Sequence, residues 1–195
     1  MDDTPGDEAA TELYVALVHH PVRSRHGGIE TSSVTNIDVH DLARSCRTYG
    51  ARALYVVTPV DAMRALVRRI MRHWDSGLGR DYNPSRTDAL SIVRLERELA
   101  GVDIDIERRT GRLPKRVATT ARHTDGAVGY ETFRQTLEGD DGPYLLMLGT
   151  AWGLADELMD SADTVLEPLA GPSDYNHLSV RAAGAIILDR LRGTR

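Results

Sequence analysis

Two stretches near the C-terminal end carry the residue types best able to hold a small ligand. LMLGTAWGL (146–154) runs from an apolar segment into Gly149, Thr150, Ala151, Trp152 and Gly153. EPLAGPSDYNHLSV (167–180) sets Pro168, Gly171 and Pro172 ahead of Asp174, Asn176, His177 and Ser179. Glycine at such points lets main-chain N–H and C=O groups approach a ligand with no Cβ in the way. Turn geometry accounts for the same glycines, and the residues alone leave both readings open. A third stretch, PVRSRHGGIETSSVTN (21–36), is long, polar and cationic through Arg23, Arg25 and, when protonated, His26. Long loops inside compact domains are commonly functional, and such cations suit phosphate contact; a solvated surface loop fits the composition equally.

These stretches need elements to position them. LYVALVHH predicts a strand over 13–20 that Pro21 ends. From Ile37 the pattern is helical, with Asn36 or Asp38 as cap, Val39, Leu42, Ala43 and Cys46 on one face, and Gly50 as the stop. ALYVVTP (53–59) is a second strand, and Asp61 caps a helix running to about His73. SGLGRDYNPSR (76–86) reads as a breaker-rich connection with an Asn–Pro turn. A short strand over Leu90–Val93, a helix from Leu95 to about Arg109, the strand RVATTAR (116–122) and a helix over Tyr130–Leu137 come next. An apolar strand then ends at Gly149, another spans Thr164–Leu169, and a last helix closes the chain. Strands alternating with helices over short connections predict an α/β fold, a three-layer parallel-sheet domain with helices on both faces. One domain over 13–195 is expected behind a disordered acidic tail, 1–12.

The last helix is apolar on nearly all sides. Leu178, Ala182, Ala185 and Ile186 form one stripe, and Ile187, Leu188 and Leu191 another. A sheet on one side and a second subunit on the other would cover both; a purely internal core helix is the alternative.

Composition narrows the function. The 195 residues carry a net charge of -5, which argues against a protein that coats nucleic acid with its whole surface. The single cysteine, Cys46, excludes an internal disulfide and any multi-cysteine metal site. No charged-then-apolar leader and no run approaching ~18 apolar residues occurs, so a soluble, cytoplasmic protein is expected. The phosphate-cradling G-x-x-x-x-G-K-[ST], the dinucleotide G-x-G-x-x-G, the G-x-S-x-G elbow and H-E-x-x-H are all missing. His19 and His20 point to opposite faces of a regular strand, which suits one interior histidine better than a metal pair.

Against that background three segments resemble motifs of the SpoU/TrmH branch of the SPOUT superfamily, the trefoil-knot RNA methyltransferases. DVHDLARSCRTYG (38–50) is similar to the first, with Arg44 and Gly50 matching and Asp38 at an asparagine position. LMLGTAWGL resembles the second, with Thr150 and Ala151 replacing an Asn-Glu pair. EPLAGPSDYNHLSVRAA (167–183) resembles the third, with Pro168, Gly171 and Ser179 matching and His177 replacing asparagine. The likeness runs in order over about 180 residues, and looks closest to a small stand-alone bacterial group of RNA methyltransferases.

The resemblance implies a C-terminal deep trefoil knot, which sequence reasoning would not propose because threading is close to absent in proteins. It implies S-adenosylmethionine bound by three loops: Thr119, Thr120 and Ala121; Leu148, Gly149, Thr150, Trp152, Gly153 and Leu154; Leu169, Gly171, Asn176, His177, Leu178 and Ser179. Leu148, Leu169 and Leu178 could form the apolar slot that adenine needs. It implies a homodimer, built through the knot region and the last helix. Arg44 becomes the candidate for orienting the acceptor, and Asp38 a candidate base; their plain alternatives are a solvated helix cation and an N-cap. RNA contact falls to Arg23, Arg25 and His26, with Arg68, Arg69, Arg72 and His73 as a second cluster that a charged helix face explains equally well. The expected function is an S-adenosylmethionine-dependent methyltransferase of tRNA or rRNA. Its rival is a silent S-adenosylmethionine-binding or RNA-associated protein on the same fold, favoured by the replaced motif residues. A small-molecule transferase on an unknotted α/β fold is a third reading.

Overall fold

The computed structural model describes residues 11–75, 78–140 and 142–194. Strands are β1 (Leu13–Val18), β2 (Val22–Arg23), β3 (Ile29–Glu30), β4 (Ala53–Val57), β5 (Val93–Glu96), β6 (Lys115–Ala118), β7 (Tyr144–Gly149) and β8 (Thr164–Val165). Helices are α1 (Asn36–Thr48), α2 (Asp61–Asp75), α3 (Leu78–Tyr82), α4 (Pro84–Ser91), α5 (Leu99–Thr110), α6 (Tyr130–Gly139), α7 (Asp156–Asp160) and α8 (Val180–Arg192).

The main sheet has the order β5-β4-β1-β7-β6-β8 and every pairing in it is parallel. β1 and β7 lie side by side at its centre, Leu13 opposite Tyr144 and Val18 opposite Gly149. Both read as continuous apolar runs because both faces are covered. Alternate residues divide between two cores. Leu13, Val15, Leu17, Leu146 and Leu148 join α1, α2, α4, α6 and α8 on one face. Tyr14, Ala16, Val18, Leu145 and Met147 join α5 and α7 on the other. The three-layer α/β expectation matches this arrangement.

Several boundaries differ from the sequence reading, each for a local reason. Residues 1–10 of the expected acidic tail lie outside the described residues. Thr11 and Glu12 belong to the fold, since the buried Thr11 hydroxyl donates to the Leu137 carbonyl, with the Asp140 carbonyl 3.0 Å away, and the Glu12 carbonyl accepts from Tyr144 N at 2.8 Å. Much of the expected 76–86 connection is helical. Asn83 caps α4 by accepting from Arg86 N at 3.0 Å, and Pro84 sits in the first turn, where its missing N–H costs nothing. Because α4 runs to Ser91, the strand expected over 90–93 begins at Val93 instead, and α5 begins at Leu99. The polar stretch 21–36 contains the β2–β3 hairpin, with Val22 opposite Glu30. Strand pairing in RVATTAR stops at Ala118; in 164–169 the strand ends at Val165, with one further parallel bridge from Leu166 to Val128 before the loop.

The cap of α1 is neither Asn36 nor Asp38 but Thr35, whose hydroxyl oxygen accepts from Asp38 N at 3.2 Å and donates to the Asp38 carboxylate at 2.5 Å. α8 packs on α1 and α6. Ile187, Leu188 and Leu191 are buried there, while Leu178 and Ile186 are 49% and 37% exposed. Gly184 in α8 serves an internal contact: a Cβ there would stand 2.6 Å from Leu42 Cδ2 and 3.0 Å from Leu148 Cδ1.

Candidate active site

A crevice of about 1100 Å³ opens where β1, β6 and β7 end, lined by stretches of 23–38, 119–130, 148–159 and 169–187. The carboxyl ends of parallel strands are where open α/β sheets bind ligands. Thr119, Thr120 and Ala121 line it, as do Leu148, Gly149, Thr150, Trp152, Gly153 and Leu154. Leu169, Asn176, His177, Leu178 and Ser179 close it from the third loop, with Asn176 Nδ2 donating to the Ala121 carbonyl at 3.0 Å. Gly171 does not line the crevice.

The turn after β7 is built on its glycines. A Cβ on Gly149 would lie 2.5 Å from Leu154 N and 2.8 Å from the Gly153 carbonyl carbon. The expectation that this glycine leaves room for a ligand is therefore corrected: the turn's own backbone fills that space. Gly153 has φ +102°, a conformation that L side chains rarely adopt. The turn is tied to the β2–β3 hairpin, with Arg23 N donating to the Gly153 carbonyl at 2.9 Å and Trp152 N to the Arg23 carbonyl at 3.3 Å. Arg23 Nη1 also meets Asp156 Oδ1 at 2.5 Å. Trp152 is thus an exposed ring on a tethered turn, 54% accessible at the crevice.

Of the expected RNA-contacting residues, Arg23 and Arg25 line the crevice and the exposed His26 does not. The second basic cluster, Arg68, Arg69, Arg72 and His73, is exposed on α2 and does not line it. Asp38 lines the crevice from α1, whereas Arg44 is exposed on the same helix and does not. Asp38 is not a free base within one chain: Thr35 occupies one carboxylate oxygen and Arg181 Nη1 the other, at 3.1 Å. Arg181 Nε lies 3.4 Å from Asp41 as well.

Sequence reasoning missed Arg122, Arg181 and Ser32, all of which line the crevice. Arg122 and Arg181 each fall next to, or two residues from, a residue singled out by motif (Ala121 and Ser179), so the signal was position at a loop end. Ser32 belongs to a chain of polar side chains that no spacing could show. His19 is fully buried at the end of β1, with Nδ1 2.8 Å from Ser32 Oγ. Ser32 Oγ lies 2.5 Å from Thr150 Oγ1, and Thr150 donates to the Val18 carbonyl at 2.9 Å. Burial pulls the His19 pKa down to about 4, opposed in part by the nearby Asp38 carboxylate. His20 is half-buried, its Nδ1 3.0 Å from the Thr31 hydroxyl.

The lining suits a flat apolar ring carrying polar groups at its edge. Buried Leu148, Leu169 and Ile187 give an apolar wall, and loop main chain and hydroxyls surround it. Among the described residues there is no group of His, Cys, Asp or Glu that could hold a metal ion.

Comparison with known proteins gives the class first. The A. aeolicus TrmH/SpoU tRNA modifying enzyme superposes with a TM-score of 0.55 at 15% identity, covering 95% of this chain and 75% of that one. The fold is thus similar to that of this TrmH/SpoU enzyme. The family described as SAM-dependent RNA methyltransferase matches residues 12–193, and the chain belongs to it. An uncharacterised protein of Aquifex aeolicus is 41% identical over 179 residues, 92% of this chain and 87% of that one. A tRNA (guanine-N(1)-)-methyltransferase of Nitratidesulfovibrio vulgaris is 43% identical over 181 residues, 93% of this chain. The chain spans only 42% of that relative's length, so the activity in its name belongs to a longer protein.

Proposed function

We propose that this protein methylates a nucleotide of tRNA, with S-adenosylmethionine held in the crevice at the strand ends. The carrying observation is the convergence of residues 119–121, 148–154 and 169–179 on one crevice, in a chain of the SAM-dependent RNA methyltransferase family. tRNA is favoured over rRNA by the name of the longer relative that contains a segment like this one.

S-adenosylmethionine, when bound, supplies a methyl carbon open to in-line attack. The chain's own task is to align acceptor with donor and to manage one proton. Leu148, Leu169 and Ile187 take the flat ring, and the Asn176–Ala121 bond holds two of the loops at a fixed spacing. Arg25 and Arg122 meet backbone phosphates at the mouth, and the exposed Trp152 ring offers a face to an unpaired base. Asp38 orients Arg181 toward the crevice rather than taking a proton itself.

Arg44 serves the reaction through a second copy of the chain. Ile37 on α1 is 57% exposed, Leu178 just before α8 49% and Ile186 on α8 37%. The two helices pack together and are bridged by the Arg181–Asp41 pair, and we take these exposed apolar side chains as the dimer surface. Arg44 shares the exposed side of α1 with Ile37 and Asp41 by helical spacing. A homodimer on this surface brings Arg44 against its partner. The segment from Leu169 through α8 forms the trefoil knot by passing through the loop after β6, a reading supported by the tie from Asn176 to Ala121 and by the fold class. We place this protein in the cytoplasm; among the described residues no helix is long and apolar enough to cross a membrane.

Arg44's distance from its own crevice also favours the silent binding protein as a second reading. Calorimetry with S-adenosylmethionine, followed by labelled-methyl transfer to total RNA from a strain lacking the protein, decides between them. Binding with label entering tRNA supports the enzyme. Binding with no RNA fraction labelled leaves only the binding protein, and no binding at all ends both.

A further inference from the structure

Three hydroxyls at the strand ends have already committed their protons. Thr119 donates to the Met147 carbonyl at 2.8 Å, and Thr150 to the Val18 carbonyl at 2.9 Å. A hydroxyl has one proton and two lone pairs. In the 2.5 Å pair between Ser32 Oγ and Thr150 Oγ1, Ser32 is therefore the donor. Its proton spent, Ser32 can only accept from His19, 2.8 Å away, so the imidazole carries its proton on Nδ1. Nε2 is left as a bare lone pair, buried and with no hydrogen-bond partner. His19 is the far anchor of a chain that turns every O–H inward. Thr119, Ser32 and Thr150, all lining the crevice, can offer it acceptors and no donor.

We propose that this acceptor-only floor selects a cationic or hydrogen-bond-donating group and rejects anions and bare acceptors. The inference rests on the reading of the crevice as the S-adenosylmethionine site. The group selected there is the charged sulfonium centre of that molecule. Loss of the methyl group leaves the sulfur neutral, so the floor holds the charged donor in preference to the product, S-adenosylhomocysteine. Formal charges lining the crevice do not supply this preference: Arg23 is matched by Asp156 and Arg181 by Asp38 and Asp41, and of the remaining side chains Arg25 and Arg122 oppose a cation more than Asp174 favours one.

Calorimetry on the full chain tests this with three ligands: S-adenosylmethionine, S-adenosylhomocysteine and an analogue with an amine in place of the sulfonium. The wild-type protein should bind S-adenosylmethionine and the protonated amine analogue about tenfold more tightly than S-adenosylhomocysteine, whose sulfur is neutral. Thr119→Val and Ser32→Ala should each erase most of that ratio, and Thr119→Ser should keep it. Equal or tighter binding of S-adenosylhomocysteine by the wild type overturns the floor, as does a ratio that survives in both variants. A wild type that binds none of the three overturns the crevice reading itself. Nitrogen-15 spectra of His19 give a readout without ligand: the neutral Nδ1–H form is expected, and an Nε2–H form overturns the proton accounting.

Discussion

The floor of the crevice and its rim are built on opposite principles. At the floor, strand ends from the middle of the sheet bring together side chains whose hydrogen bonds are nearly all internal, with His19 sealed behind them. At the rim, Arg25, Arg122 and Trp152 project from loops, with Trp152 54% exposed. A buried polar network tolerates little change, because each lost partner strands another group away from water. A rim contact is made with solvent-facing groups and can be lost singly. The chemistry of one bound small molecule is thus set at the floor, and grip on a large partner at the rim.

The largest expected effect falls on the turn that joins the two. Gly149→Val places branched carbon against the Leu154 and Gly153 backbone, which a Cβ alone would meet at 2.5 and 2.8 Å. The turn must reopen, at about 1–3 kcal/mol for overpacking, and S-adenosylmethionine binding should disappear from calorimetry while circular dichroism keeps the native signal. Gly171→Val is the contrast: a Cβ there meets nothing within 4 Å, and binding should survive. Loss in both, or in neither, would erase the distinction between a built turn and an open loop.

Next comes the floor's response to acid. The folded pKa of His19 is about 4 against an ordinary 6.5, so the unfolded chain takes up a proton that the folded one refuses. Stability is therefore full above pH 6.5 and falls as pH drops toward 4, by on the order of 3 kcal/mol. His19→Asn, which keeps a donor near the Nδ1 position, should flatten this part of the curve in urea melts at pH 7, 6, 5 and 4.5. An unchanged slope would mean that His19 titrates freely and the floor is open to water.

Legibility in the sequence divides along the same line. β1 and β7 are readable because continuous apolar runs such as LYVALV and YLLML specify strands buried on both faces. The three loops are readable because Thr119–Ala121, Gly149–Gly153 and Asn176–Ser179 sit at strand or helix ends, where a motif can be aligned. The relay from His19 through Ser32 to Thr150 is not, since it joins residues 13 and 118 positions apart by bonds that only the folded chain creates. Asn83–Pro84 misleads because the same pair opens a turn or a helix, and only the packing of residues 85–91 decides which. Arg44 shows the limit of motif matching: its position in the pattern is clear, its distance from the crevice is not.

The smallest effects belong to the rim. Trp152→Ala should raise the apparent KM for tRNA about tenfold through lost base stacking and leave S-adenosylmethionine binding unchanged, with Trp152→Phe close to wild type. If the alanine variant weakens the cofactor instead, Trp152 belongs to the floor. Arg25→Ala and Arg122→Ala should each weaken tRNA binding only a few-fold, and alike for every sequence, because phosphate contacts carry no base information. Each should also reduce the slope of log K against log salt by roughly 0.7–0.9, one counterion's share. Filter binding across a salt series reads that slope directly. A variant that loses affinity with its slope unchanged would mean that the arginine acts through the fold of its loop, and the rim would then be as tightly built as the floor.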